Sequence, residues 1–214
     1  MAGCRGYLHE LVTAKVDARA DDFTSALLDI HDEDPGQLTR EEIASILFSL
    51  SLAGHETTNN LLGNCVRRVL EEPARWQTIV ADPSLIPDAV DEILRYDPSI
   101  MVWRRQATED VVIGGVEIPA GAKLFLWLAA AGRDPSVFAE PEQFDLRRTN
   151  ARPTLAFGRG IHFCIGAALG KLEAHIALEE LTSRFPNLEL VGDQEVPFHP
   201  NISFRGPQSL WVSA

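Results

Sequence analysis

Apolar positions recur at helical spacing through the first hundred residues, then give way to short alternating runs. Leu8, Leu11, Val12 and Val16 fall on one face of a helix over residues 5–18, and Phe23, Ala26, Leu27, Leu28 and Ile30 mark a second over about 22–31. Residues 32–36 read as a turn-rich loop. Thr39-Arg40-Glu41-Glu42 then puts Thr at an N-cap and Glu at N3, the capping-box pattern. No proline follows until Pro73, which predicts one helix of roughly 50 Å at about 1.5 Å per residue. Its first half, with Ile43, Ile46, Leu47, Phe48, Leu50 and Leu52, is apolar around more than one side and predicts burial on several sides. Shorter helices follow over 74–80 and from 84–87 to Tyr96, with Pro87 suited to a first turn.

Beyond Pro98 the period changes to that of strands. Residues 101–105, 111–116 and 123–128 read as short strands, with Gly114-Gly115 and Pro119-Ala120-Gly121 as turns. Residues 132–156 carry Pro135, Pro141 and Pro153 with little periodicity, a long irregular segment. A last helix runs from just after Cys164 to about Arg184, and a few short strands end the chain, including 209–212. The expected class is mainly α with a small β part, and no linker breaks residues 1–214, which read as a single domain.

Composition narrows the class of protein without changing that outline. The 214 residues are 45% hydrophobic and 23% charged, as in ordinary soluble globular proteins. A net charge of −12 argues against nucleic acid as a partner. No apolar run approaches a membrane span and no signal peptide precedes residue 20, so no membrane partner and a cytoplasmic location are expected. Cys4, Cys65 and Cys164 are too few and too scattered for a disulfide framework.

The densest chemistry lies in Phe157-Gly158-Arg159-Gly160-Ile161-His162-Phe163-Cys164-Ile165-Gly166. Gly158, Gly160 and Gly166 permit backbone angles and approaches that a β-carbon forbids. Ile165, Ala168, Leu169 and Leu172 fall at helical spacing after it, so Cys164 lies near a helix N-terminus, where unpaired N–H groups and the helix dipole favour a thiolate. On spacing alone such a thiolate suits a soft metal centre, haem iron among them, or a nucleophile. Two further stretches stand out. Ala53-Gly54-His55-Glu56-Thr57-Thr58 puts polar groups inside the long helix, where Gly54 and a back-bonding Thr57 predict a bulge or kink. Glu92 and Arg95 share a helix face and suit an ion pair.

Phe-Gly-x-Gly-x-His-x-Cys-x-Gly resembles the haem-binding loop of the cytochromes P-450, in the form of soluble bacterial members. The resemblance implies that Cys164 is the axial ligand of the iron of haem b, that His162 contacts a haem propionate, and that Phe157 packs near the Cys sulfur, with Gly158 and Gly166 shaping the loop. Ala53-Gly54-x-Glu56-Thr57-Thr58 is similar to the family's distal-helix signature. That similarity implies a backbone gap over the haem at Ala53 and Gly54 and proton delivery to dioxygen by Glu56 and Thr57. Glu92-x-x-Arg95 resembles the family's structural pair, whose usual third partner is an Arg in Pro-x-Arg-Phe; here Gln143 stands in that place, with Arg147 or Arg148 as substitutes. Arg105 matches in offset the strand Arg that binds a propionate, Ile100, Met101 and Val102 fall where the family lines its substrate pocket, and Arg159 and Lys171 flank the loop where the family meets its electron donor.

The resemblance runs from about residue 5 to the end and implies the C-terminal portion of the cytochrome P-450 fold, with the N-terminal half absent before Met1. The implied activity is that of a haem-thiolate monooxygenase inserting one atom of dioxygen into a small organic substrate, in secondary metabolism or xenobiotic oxidation. Electrons would come ultimately from NAD(P)H through a redox partner, a ferredoxin-type donor. The alternative is a non-catalytic fragment that at most binds haem or docks on a partner supplying the missing half. With that half absent, the apolar face of the long helix is expected to drive self-association.

Overall fold

The computed structural model describes residues 2–214, so the expectation about Met1 lies outside the described residues. The chain separates into two compact units, Met1–Glu56 and Thr57–Ala214.

The first unit holds α1 (Ala2–Asp17), α2 (Phe23–Glu33) and the start of α3 (Arg40–Leu70). Helix α1 begins earlier than the apolar spacing indicates, running through Gly3 and Gly6. Val12 of α1, Leu28 of α2 and Ile43 and Ala44 of α3 form a small core, with Val16, Leu27, Leu38 and Leu47 against it. Asp22 caps α2 by accepting from the Ser25 N–H at 2.9 Å and pairs with Lys15 at 2.5 Å. Those bonds, Lys15 first, hold its carboxyl down at about 2. The capping box of α3 forms as expected: Thr39 N–H donates to the Glu42 carboxylate at 2.8 Å and the Glu42 N–H donates back to Thr39 Oγ1 at 3.2 Å.

Helix α3 corrects one expectation. It is continuous α-helix from Arg40 to Leu70, with no bulge at Gly54. The apolar face of its first half lies partly open, in keeping with the uncovered face expected of this chain: Ile46, Leu47, Phe48 and Leu50 are half-buried, and residues 51–56 are exposed, Leu52 by 58%. In this unit α1 and α2 pack on the side carrying Ile43, Ala44 and Leu47. Ser45, Ser49 and Ser51 interrupt the apolar run, and Ser49 and Ser51 return their hydroxyls to the carbonyls of Ser45 and Leu47.

The second unit packs the rest of α3, α4 (Pro73–Ala81), α5 (Ile86–Tyr96) and α7 (Ala167–Arg184) around one core. Leu61, Cys65, Val69, Trp76, Ile79, Ile86, Ile93 and Leu178 are its centre. Trp76 is fully buried because its indole N–H reaches the carbonyls of Phe185 and Pro186, at 3.3 and 3.1 Å. Burial alone pushes the Cys65 thiol up to about 12.

The β part is small. Strands β1 (Val102–Gln106) and β4 (Lys123–Trp127) pair antiparallel, with Trp103 opposite Leu126. The run expected as one strand at 111–116 instead breaks at Gly114-Gly115 into a hairpin of β2 (Val111–Ile113) and β3 (Val116–Ile118). Both glycines have positive φ, +57° and +81°, which a two-residue hairpin turn of this kind requires at both positions. A single helical turn, α6 (Leu128–Ala131), follows β4, and β5 (Glu189–Leu190) pairs with β6 (Val212–Ser213). The mainly α class with a small β part is the one expected. Among the described residues no helix is long and apolar enough to cross a membrane.

Candidate functional site

The loop before α7 is built to hold one thiol outward. The Cys164 N–H donates to the Phe157 carbonyl at 2.9 Å, closing the loop on itself, and Phe157 packs against the main core. Gly158 and Gly160 have φ of +72° and +74°, the left-handed region that a side chain resists. A 3-10 turn at Gly160–His162 carries the chain to Phe163, whose N–H bonds back to the Gly160 carbonyl at 3.0 Å. The Ala167 N–H at the head of α7 donates to the Cys164 carbonyl at 3.2 Å. Cys164 is therefore fixed from both sides through its backbone while its side chain stays exposed. A β-carbon on Gly166 would stand 3.9 Å from the Cys164 sulfur.

The residues around that thiol are unusually apolar for a surface. Ile161 is 96% exposed and Ile165 86%, with Phe163, Leu169 and Leu172 also exposed. An exposed apolar patch of this kind marks a binding site. Among the described residues no group of three or more His, Cys, Asp or Glu could hold a metal ion. One exposed thiol amid exposed apolar side chains fits a metal that arrives already ligated in a flat, largely apolar macrocycle. Haem is such a group. His162 and Arg105 are exposed, and Arg105 donates to the neighbouring Arg104 carbonyl at 2.9 Å. Arg104 instead lies over the Phe125 ring, 5.7 Å from its centre. Of the three residues expected at a substrate pocket, Val102 is fully buried in the β1–β4 pair, whereas Met101 lines an open cleft of about 210 Å³ with Trp127, Ile202 and Phe204.

The irregular segment before the loop is anchored by a buried ion cluster. Glu92 and Arg95 are both fully buried and doubly bonded, Arg95 Nε to Glu92 Oε2 at 2.6 Å and Nη2 to Oε1 at 2.7 Å. Arg95 spends its remaining donors on the carbonyls of Gly132, Pro141 and Gln143, at 2.6, 2.9 and 3.1 Å. Glu92 also receives the Asp145 N–H at 2.9 Å and the Arg148 Nε at 3.2 Å. Arg148, not Arg147, is thus the third partner, and it binds the Ala139, Glu140 and Gln143 carbonyls besides. Gln143 takes part through its backbone, which is why its side chain need not be basic. Gly132 is required by contact: a β-carbon there would lie 2.1 Å from the Arg95 carbonyl oxygen.

Two features went unread in the sequence. Asp97, 3% exposed, is an ionic hub for Arg67, for Arg68 at 3.0 Å and for Arg205 at 2.7 Å. Burial lowers the Arg67 guanidinium from its usual range, against the pull of Asp97. Burial also acts on Arg68, but Asp97 and Glu71 outweigh it and raise that group. No spacing rule marks Asp97, because its partners lie 29 to 108 residues away. Lys171, expected to offer its charge beside the loop, is committed to Asp91 at 2.5 Å, which Arg152 also approaches at 3.6 Å. Ala53, Gly54 and Glu56 are exposed on α3 and Thr57 is half-buried there.

The family described as Cytochrome P450 matches residues 77–207. The chain is 42% identical over 212 residues to cytochrome P450 monooxygenase PikC of Streptomyces venezuelae, covering 98% of this chain and 51% of that protein. It is 41% identical over 215 residues to vitamin D(3) 25-hydroxylase of Pseudonocardia autotrophica, covering all of this chain and 53% of the relative. Among solved structures, cytochrome P450 CREJ in complex with (4-ethylphenyl) dihydrogen phosphate superposes with a TM-score of 0.94 at 44% identity, over 99% of this chain and 52% of that one. The chain spans about half the length of the curated relatives it matches. With a family match over most of its length and the fold of solved members, the chain belongs to the cytochrome P450 family.

Proposed function

We propose that residues 1–214 act as the haem-binding half of a P450 monooxygenase that oxidises a small organic substrate with dioxygen. The observation that carries this is the exposed Cys164 thiol, pinned through Phe157 and Ala167 and set among exposed apolar side chains. In this reading Cys164 binds the iron of haem b as a thiolate, and Gly158 and Gly166 keep the loop low enough for a flat ring to approach. Bound there, haem supplies the redox-active iron at which dioxygen is activated. Arg105 and His162 bind the propionates, a task that suits a guanidinium and an imidazole. Glu56 and Thr57 hold and pass protons, and Ala53 and Gly54 keep the helix free of bulk beside them. Electrons come from NAD(P)H through a ferredoxin-type donor, in the cytoplasm, with Arg159 as the exposed basic contact in an otherwise acidic chain.

The exposure of residues 51–56 favours a second reading, in which the chain alone binds haem at most and works only with a partner covering that stretch. Hemin titration combined with thiol mapping tests the first reading. One equivalent of hemin should protect Cys164 from alkylation and leave Cys4 as reactive as before. A chain whose Cys164 stays equally reactive at saturating hemin does not use that thiol as its ligand.

A further inference from the structure

Away from the Cys164 loop, the least satisfied polar groups lie along one face of α3. Asn60, Asn64 and Arg67 are 4%, 0% and 5% exposed, and their spacing of four and three residues places them on one side of the helix. Asn64 Nδ2 donates to the carbonyls of Asp97 at 3.1 Å and Arg205 at 3.0 Å, which fixes how its amide is turned. Its Oδ1 is then a buried acceptor with no partner among the described residues. Asn60 Nδ2 and Arg67 Nε are buried donors in the same condition. Buried polar groups in folded proteins are almost always bonded, to protein or to ordered water.

The order along the helix is donor, acceptor, donor. At about 1.5 Å per residue the steps are about 6 Å and about 4.5 Å. A water making two hydrogen bonds of about 2.8–3.0 Å joins atoms about 4.5–5 Å apart, which matches the shorter step directly and the longer one when the two side chains incline toward each other along the helix. The segment at Arg205–Pro207 closes over the stripe: a β-carbon on Gly206 would lie 2.1 Å from Asn60 Oδ1, and one on Gly63 would lie 2.8 Å from the Pro207 ring.

We propose that this stripe is a binding site for two internal waters, which tie α3 to the Arg205–Pro207 segment. One water accepts from Asn60 Nδ2 and donates to Asn64 Oδ1. The second accepts from Arg67 Nε and donates to the other lone pair of Asn64 Oδ1. The ligand is neutral water because the site offers both kinds of partner: a cation would face the Asn60 and Arg67 donors, and an anion would face the Asn64 oxygen. The site does not depend on haem. It gives α3 a hydrated polar face that begins one turn beyond Thr57.

Water-to-protein NOE and ROE spectra of the full chain, labelled with 15N, test the proposal. Cross-peaks from water to the Asn60 side-chain amide and to the Arg67 Nε–H are expected, with the sign of water held for longer than nanoseconds. Their absence, with both groups assigned, overturns the proposal, as does a bound ion at the site. Thermal unfolding of Asn60→Leu is the second arm. A lower Tm is expected, because the substitution breaks the water bridge and bares the Asn64 oxygen. An unchanged or higher Tm overturns the proposal, since removing a truly unbonded donor relieves a cost. Should Asn60→Leu fail to fold, the cross-peaks of the unsubstituted chain still decide.

Discussion

Glu92→Gln probes what holds the irregular segment in place. The carboxylate answers two buried guanidiniums, Arg95 at 2.6 Å and Arg148 at 3.1 Å, and accepts the Asp145 N–H. All of this lies out of water, with Glu92 and Arg95 fully buried and the Arg148 side chain 8% exposed. Removing one member of such a pair leaves uncompensated charge inside and costs about 3–5 kcal/mol. Gln retains one accepting oxygen, so a loss near the lower end, about 3 kcal/mol, is expected. Against a typical domain stability of about 5–15 kcal/mol, that is a large fraction. Urea unfolding followed by tryptophan fluorescence reads it, because Trp76 is buried in the same core while Trp103, Trp127 and Trp211 are exposed. Arg95→Met should cost at least as much, since it also strips the carbonyls of Gly132, Pro141 and Gln143 of their donor. A loss below about 1 kcal/mol for Glu92→Gln would refute the reasoning, because it would put the cluster in the class of weak surface pairs.

Further outcomes follow from single contacts. Gly132→Ala should lower Tm well beyond an ordinary loop substitution, because its β-carbon would meet the backbone oxygen of Arg95 at 2.1 Å; an unchanged Tm would mean the two segments part easily. Asp22 has a carboxyl lowered to about 2 from 3.8, so its contribution is complete above about pH 4 and fades as pH falls toward 2; Asp22→Asn should remove that part of the pH dependence of unfolding, and an unaltered acid profile would count against the cap. Under native conditions the exposed Cys4 and Cys164 should react with a thiol reagent while Cys65, at about 12 and 1% exposed, reacts only on unfolding; rapid labelling of Cys65 would show that its core opens.

What the sequence made legible depended on whether the partners were local. The capping box at Thr39–Glu42 and the loop at Phe157–Gly166 carry their contacts within a few residues, and both could be read from order alone. Glu92 and Arg95 were recognisable as a pair, but the choice between Arg147 and Arg148 rests on a chain reversal some 50 residues away and needed coordinates. The same holds for Asp97 and for Lys171, whose partner Asp91 is 80 residues distant. Apolar content at residues 46–52 showed that the helix needs partners on more than one side, and in this chain α1 and α2 cover only one of them. The Gly114-Gly115 turn was visible, yet the strand on its far side was absorbed into its neighbour because Val111, Ile113 and Val116 continue the same apolar pattern.

In the proposed function Cys164 is the thiolate that takes the iron. The most direct measurement is the carbon-monoxide difference spectrum of the chain loaded with hemin and reduced. The red-shifted Soret band of a ferrous thiolate haem is expected, kept in Cys4→Ser and Cys65→Ser and lost in Cys164→Ser. A thiolate band that survives Cys164→Ser, or that disappears with Cys65→Ser instead, would contradict it.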